Sequence, residues 1–140
     1  MKQEELKQYL PHRDAMLLVD QASALDETHA AGSYTIRGDE WFLQGHFPGN
    51  PIVPGVILCE MLAQSCCALF LHKGNNATPY FTGMDKVRFR RKVLPGDIVD
   101  FTCELKQKRP PFYFIRGEGM VNGELCVSGE FSFAVIPNQG

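Results

Sequence analysis

His46 and Glu60 are the two side chains whose types and placing fit acid–base chemistry. His46 lies in the loop Gln44-Gly45-His46-Phe47-Pro48-Gly49-Asn50-Pro51-Ile52-Val53-Pro54, where prolines restrict φ and glycines allow tight turns, so its backbone path is largely fixed. Glu60 is the only carboxylate between Gly55 and Leu71, a stretch otherwise dominated by Val56, Ile57, Leu58, Cys59, Met61, Leu62, Cys66, Cys67, Leu69 and Phe70. The pattern predicts a helix over Pro54–Lys73, with Pro54 at the first helical position and Gly74 as the stop. Such a helix would run about 30 Å, nearly the width of a small domain. Because it is apolar on nearly every face it should be buried, and a buried glutamate must be paired, hydrogen-bonded or protonated. Gln64, one turn further on the same face, can hold the carboxyl. Desolvation raises a carboxyl's pKa and lets it donate a proton, while an imidazole in the adjoining loop can accept one. The pair suits a reaction that removes one proton and delivers another. A packing histidine and a solvated helix glutamate are the plainer alternative.

The elements that must position this pair read mostly as strands. Val127, Gly129, Phe131, Phe133 and Val135 alternate with Ser128, Glu130, Ser132 and Ala134, the period of a half-buried strand. Asn122-Gly123 joins that run to Phe112–Val121 as a two-residue hairpin. Ile98–Leu105 and Val87–Val93 are expected as two more strands about the turn Pro95-Gly96-Asp97, and Ser33–Ile36 as a shorter one. Gly117, Gly119 and Gly123 lack the spacing of a dinucleotide fingerprint and have no helix after them, so they read as hairpin glycines. Antiparallel strands with one long apolar helix leave one economical solution, an α+β fold in which the sheet curls around the helix.

The segment Gly45 to Gln64, GHFPGNPIVPGVILCEMLAQ, strongly resembles the active-site segment of the (3R)-hydroxyacyl-[acyl carrier protein] dehydratases of the FabZ type. Leu10-Pro11-His12-Arg13 with Met16-Leu17-Leu18-Val19-Asp20 resembles that family's opening, and Tyr80-Phe81 through Asp85-Lys86-Val87-Arg88-Phe89 to Val93-Leu94-Pro95-Gly96-Asp97 its second half. The resemblance implies a hot-dog fold over residues 1–140 as one domain, and dehydration of a 3-hydroxyacyl thioester on acyl carrier protein in fatty acid biosynthesis. It implies His46 as the base at the α carbon and Glu60 as the acid at the β-hydroxyl. The Ile52 carbonyl would hold the His46 tautomer. The Gly55 amide is the first candidate for the thioester oxygen, since orphan N–H groups and the positive dipole end converge at a helix N-terminus. No metal or other cofactor is expected, because the elimination moves only protons. The resemblance further implies a homodimer with two sheets joined edge to edge, assembled as a trimer of dimers.

Tyr80 and Phe81 match an aromatic gate over an acyl tunnel and would serve equally as core aromatics. Arg88, Arg90, Arg91 and Lys92 form a basic cluster on a presumed strand, with Arg91 on the opposite face from the other three. The cluster can steer an acidic carrier protein, or guard a solvated edge strand; RNA binding ranks below both. Departures from the family pattern lie at the start, where Asp14-Ala15 replaces an aromatic residue and a proline, and Gln21 a basic residue. Glu60, where relatives of the FabA type carry aspartate, favours a plain dehydratase over a dehydratase–isomerase.

A net charge of −2 over 140 residues gives no global reason to expect nucleic acid. No apolar stretch reaches bilayer-spanning length, and MKQEELKQYL resembles neither a signal nor a transit peptide, so a cytoplasmic location without membrane association is expected. The five cysteines form no C-x-x-C and read as free, buried thiols, and the four histidines show no metal-ligand spacing. Rival readings are a hot-dog thioesterase acting on the same thioester, a non-catalytic acyl or carrier-protein binder, and a specialised polyene or polyketide dehydratase.

Overall fold

A computed structural model describes residues 1–46, 49–71 and 77–138. Six strands form one antiparallel sheet: β1 (Gln21–Ala24), β2 (His29–Thr35), β3 (Ala77–Phe89), β4 (Ile98–Arg109), β5 (Phe112–Val121) and β6 (Glu124–Pro137). Their spatial order is β1-β2-β4-β5-β6-β3, so β3 crosses to an edge and, among the described residues, pairs only with β6. Register shifts in β3, in β4 and between β5 and β6 bend the sheet, as bulges do. The hot-dog expectation holds, with helix α2 (Gly55–Ser65) against the concave face and a four-residue helix α1 (Gln3–Leu6) at the β1 edge.

The β5–β6 hairpin forms as its sequence dictates. Asn122 and Gly123 both take positive φ, 51° and 79°, as a two-residue turn of that hand requires. Gly117 and Gly119, read as hairpin glycines, lie within β5, the first strand of that hairpin. A Cβ on Gly117 would come within 2.6 Å of Leu62 Cδ2, so that glycine sets how closely α2 approaches the sheet.

The helix expected over Pro54–Lys73 is shorter. It ends at Ser65 after 11 residues, and a 3₁₀ turn (Cys67–Leu69) continues the apolar run. At that junction Ser65 Oγ and Cys66 Sγ bond back to the Met61 and Leu62 carbonyls, at 2.8 and 2.9 Å, and compete with the backbone ladder. Pro54 precedes the helix with extended backbone (φ −60°, ψ 141°), one position earlier than expected, and makes Gly55 the first helical residue. Gly74, the expected stop, lies outside the described residues. The strand expected over Val87–Val93 also moves: β3 begins at Ala77 and closes at Phe89, so only Arg88 of the basic cluster is on a strand. β1, Gln-Ala-Ser-Ala, was not expected as a strand.

The core joins Leu6, Leu10 and Leu18 with α2 and the concave sheet face, including Phe101, Ile115 and Phe131. All five cysteines are free and buried. Among the described residues, no helix is long and apolar enough to cross a membrane.

Candidate active site

His46 follows the 3₁₀ turn Trp41–Leu43, and its amide donates to the Leu43 carbonyl at 3.2 Å. The turn needs Gly45 at φ 78°. Two hydrogen bonds join His46 to Ile52. The Ile52 amide donates to the His46 carbonyl at 2.8 Å, and His46 Nδ1 lies 2.9 Å from the Ile52 carbonyl oxygen. A carbonyl only accepts, so Nδ1 carries the proton and Nε2 is the basic nitrogen of the neutral ring.

Glu60 stands in the middle of α2, its side chain 20 % exposed, less buried than the apolar run implied. It lines a narrow cavity of about 60 Å³ with His12, Gln64, Cys67, Phe70 and Phe81. Gln64 Nε2 donates to Glu60 Oε1 at 3.3 Å and to the Met16 carbonyl at 2.9 Å, while Gln64 Oε1 accepts the Leu18 amide at 2.8 Å. The Leu18 amide and the Met16 carbonyl fix which end of the Gln64 amide faces Glu60. His12 Nε2 is 3.1 Å from the same Glu60 oxygen, a contact absent from the sequence reading. Its signal was limited to the Leu10-Pro11-His12-Arg13 string, because the pairing is distant in sequence. Cys59 and Cys67 are no rival nucleophiles: burial pushes their thiols up to about 11 and about 12.

Gly55 opens α2 with no side chain capping its first turn. Among the described residues its amide has no acceptor, and the Phe89 ring packs on Gly55 so closely that a Cβ there would lie 2.7 Å from Phe89 Cζ. Gly55, Ile52, Phe89, Arg90, Arg91 and Lys92 line one open groove of about 560 Å³. The structure therefore brings the helix N-terminus and most of the basic cluster together. Within that cluster Arg91 is committed to ion pairs with Asp97 at 3.5 Å and Glu124 at 3.3 Å. Arg88 donates to the Val87 carbonyl, and Arg88, Arg90 and Lys92 are exposed.

The presumed gate pair divides. Phe81 stacks toward Phe133 at 4.8 Å and lines the Glu60 cavity, whereas Tyr80 is 56 % exposed and is not among the residues lining it. Among the described residues, His46 lines neither that cavity nor the groove at Gly55.

Residues 10–130 match the family model for a FabA-like domain. The chain is 39 % identical over 133 residues to a 3-hydroxyacyl-[acyl-carrier-protein] dehydratase FabZ from Clostridium perfringens, covering 94 % of this chain and 96 % of the relative. It is a FabZ-type dehydratase of the FabA-like family. The dehydratase heterocomplex ApeI:P from Xenorhabdus doucetiae shares the fold at TM-score 0.80 and 22 % identity, over 96 % of this chain and 92 % of that one. A hypothetical thioesterase with coenzyme A from Streptococcus pneumoniae shares it at 0.61 and 10 %, over 86 % and 89 %. The fold alone therefore does not separate dehydratase from thioesterase. In this FabZ-type chain the departure Asp14-Ala15 is absorbed by a 3₁₀ turn (Asp14–Met16), and Trp41 Nε1 donates to the Ala15 carbonyl at 3.1 Å.

Proposed function

We propose that this chain, as one hot-dog unit, converts a (3R)-3-hydroxyacyl thioester on acyl carrier protein to the trans-2-enoyl thioester, with His46 as base and Glu60 as acid. The observation that carries the reading is that hydrogen bonds hold both groups in place. His46 has its proton committed to Ile52 and a basic Nε2, and Glu60 has Oε1 held by Gln64. His46 Nε2 takes the α proton, the C–H electrons form the Cα–Cβ double bond, and the β C–O bond breaks as Glu60 delivers a proton that leaves with the hydroxyl as water. Charge developing on the thioester oxygen meets the orphan amide of Gly55. Balance requires no redox partner.

Among the described residues His46 does not line the cavity that holds Glu60, which supports a site completed by a second copy. β3 supports the same reading: among the described residues one of its edges has no strand beside it, and Tyr80, Met84 and Phe89 along it are about half exposed. An exposed apolar edge of this length is a pairing surface. The resemblance extends this dimer to a trimer of dimers, in the cytoplasm. Arg88, Arg90 and Lys92 dock the acidic carrier protein beside the groove, and Phe81 bounds the acyl tunnel with Tyr80 at its rim.

Mass spectrometry of a 3-hydroxyacyl carrier protein incubated with the enzyme tests the reading. Loss of one water is expected. Loss of the acyl group would establish the thioesterase instead, and an unchanged mass would leave only a binder.

A further inference from the structure

His46 is held from two sides. On the exit side stands Ile52; on the entry side the His46 amide donates to the Leu43 carbonyl at 3.2 Å, and the Leu43 amide donates to the Glu40 carbonyl at 3.1 Å. Glu40 is thus the residue from which the 3₁₀ turn Trp41–Leu43 starts. Its half-buried carboxylate is bound by three donors. Tyr34 Oη, on β2, donates to Oε2 at 2.9 Å, the Arg37 amide donates to the same oxygen at 2.9 Å, and the Gly38 amide donates to Oε1 at 2.7 Å. Tyr34 is fixed in turn: it is buried, and the Arg37 guanidinium lies 5.1 Å over its ring. That guanidinium donates to Asp20 Oδ1 at 2.8 Å, and Asp20 Oδ2 accepts the Thr35 amide at 2.8 Å.

The protonation states suit these bonds. Burial alone would raise the Glu40 carboxyl, yet the Arg37 and Gly38 amides and the Tyr34 hydroxyl hold it below the usual carboxylate range, so it is an ionised acceptor. Burial, and then the bond to Glu40, pushes the Tyr34 hydroxyl up, so it remains a donor. The turn would stay on the core without Glu40, since Phe42 and Leu43 are buried and Trp41 Nε1 holds the Ala15 carbonyl. Burial is non-directional and leaves the turn free to pivot, whereas hydrogen bonds weaken steeply off-axis and fix its orientation. A pivot that misplaces a reacting group by about 1 Å costs on the order of a hundredfold in rate.

We propose that Glu40 is a positioning residue for the dehydration, its carboxylate joining Tyr34 of β2 to the Trp41–Leu43 turn so that His46 Nε2 is aimed at the α proton. In this role Glu40 touches no reacting atom; it acts through His46. The inference rests on the assignment of His46 as the base.

Steady-state rates of Glu40→Gln and Tyr34→Phe on a 3-hydroxyacyl N-acetylcysteamine thioester, each alone and in a His46→Ala background, form the test. In Glu40→Gln one carboxylate oxygen becomes an NH2 group that faces an N–H donor, so at least one of the three bonds is lost. Tyr34→Phe removes only the bond to β2 and keeps the ring beneath Arg37. Glu40→Gln should lose roughly ten- to a hundredfold in kcat and Tyr34→Phe roughly three- to tenfold, both with KM within about twofold. In the His46→Ala background, itself slowed by about a hundredfold or more, neither change should cost anything further, because groups that act as a unit do not add. Thermal unfolding of every variant sets an assay temperature below all the midpoints, where a merely structural role leaves the kcat of the folded enzyme unchanged. A kcat within about twofold of wild type in either single variant would overturn the proposal, as would an undiminished loss in the His46→Ala background. If Glu40→Gln does not fold, Tyr34→Phe decides between the same outcomes. Near wild-type activity of His46→Ala alone would mark a different failure, removing the base assignment and the proposal with it.

Discussion

Replacing Gln64 by leucine removes three hydrogen bonds while keeping side-chain volume and leaving α2 a good helix. Gln64 is 1 % exposed, and what it leaves behind differs at each partner. Leu18, 2 % exposed, loses the only acceptor its amide has among the described residues, at a cost of about 1–3 kcal/mol for an unsatisfied buried donor. The Met16 carbonyl belongs to a residue 44 % exposed, so water can replace Gln64 there and the loss is about 0.5–1 kcal/mol. The 3.3 Å bond to Glu60 is long and adds little to stability. The total of about 2–4 kcal/mol lowers Tm by roughly 6–15 °C for a chain of this size. Thermal unfolding followed by circular dichroism, at one fixed protomer concentration because association adds to apparent stability, measures it. Hydrogen exchange of the Leu18 amide should accelerate in parallel. kcat should fall at least tenfold, since Glu60 loses its clamp. A Tm within about 2 °C of wild type, with the Leu18 amide still protected, would refute the role given to this network.

Two further perturbations probe the groove at the helix N-terminus. Gly55→Ala keeps the amide but puts a Cβ 2.7 Å from Phe89 Cζ; because Phe89 is 53 % exposed its ring can swing aside, and kcat should fall by less than about fivefold, with Phe89→Leu restoring it. A loss above a hundredfold that Phe89→Leu does not relieve would mean that the close approach itself, not only the amide, is required. Changing Arg90 and Lys92 to glutamate should slow association with acyl carrier protein and flatten its ionic-strength dependence, with activity on an N-acetylcysteamine thioester retained. Arg91→Ala should instead lower Tm, because Arg91 holds Asp97 and Glu124; equal losses on both substrates for the Arg90/Lys92 variant would make those residues structural too.

What the sequence revealed about this fold divides by range. The β5–β6 hairpin was legible because Asn122-Gly123 is a local signal and the flanking alternation is strong. Glu60 with Gln64 was legible because one helical turn connects them, and His46 with Ile52 because the resemblance of the loop implied it. The helix is shorter than its apolar pattern because that pattern persists through Cys67–Phe70 while the α-helix ends at Ser65 and the backbone tightens to 3₁₀ over Cys67–Leu69. β3 was misplaced because Pro79, Gly83 and its exposed apolar residues do not alternate as a half-buried strand would, and the strand owes its form to pairing with β6. β1 carries no apolar pattern and is specified by the register of β2. Neither the His12 contact with Glu60 nor the packing of Phe89 on Gly55 could be read, since each joins segments that only the folded sheet brings together.

The central claim is that His46 of one chain and Glu60 of another form one site, and subunit mixing tests it most directly. His46→Ala and Glu60→Gln should each lower turnover by roughly two to four orders of magnitude as separate homo-oligomers. Co-refolded in equal amounts, about half of the dimers are mixed, and each mixed dimer carries one site with both mutations and one with neither. Roughly a quarter of wild-type activity should therefore return. Activity that stays at the level of the separate variants, once mass spectrometry has shown that mixed dimers formed, would contradict the shared site.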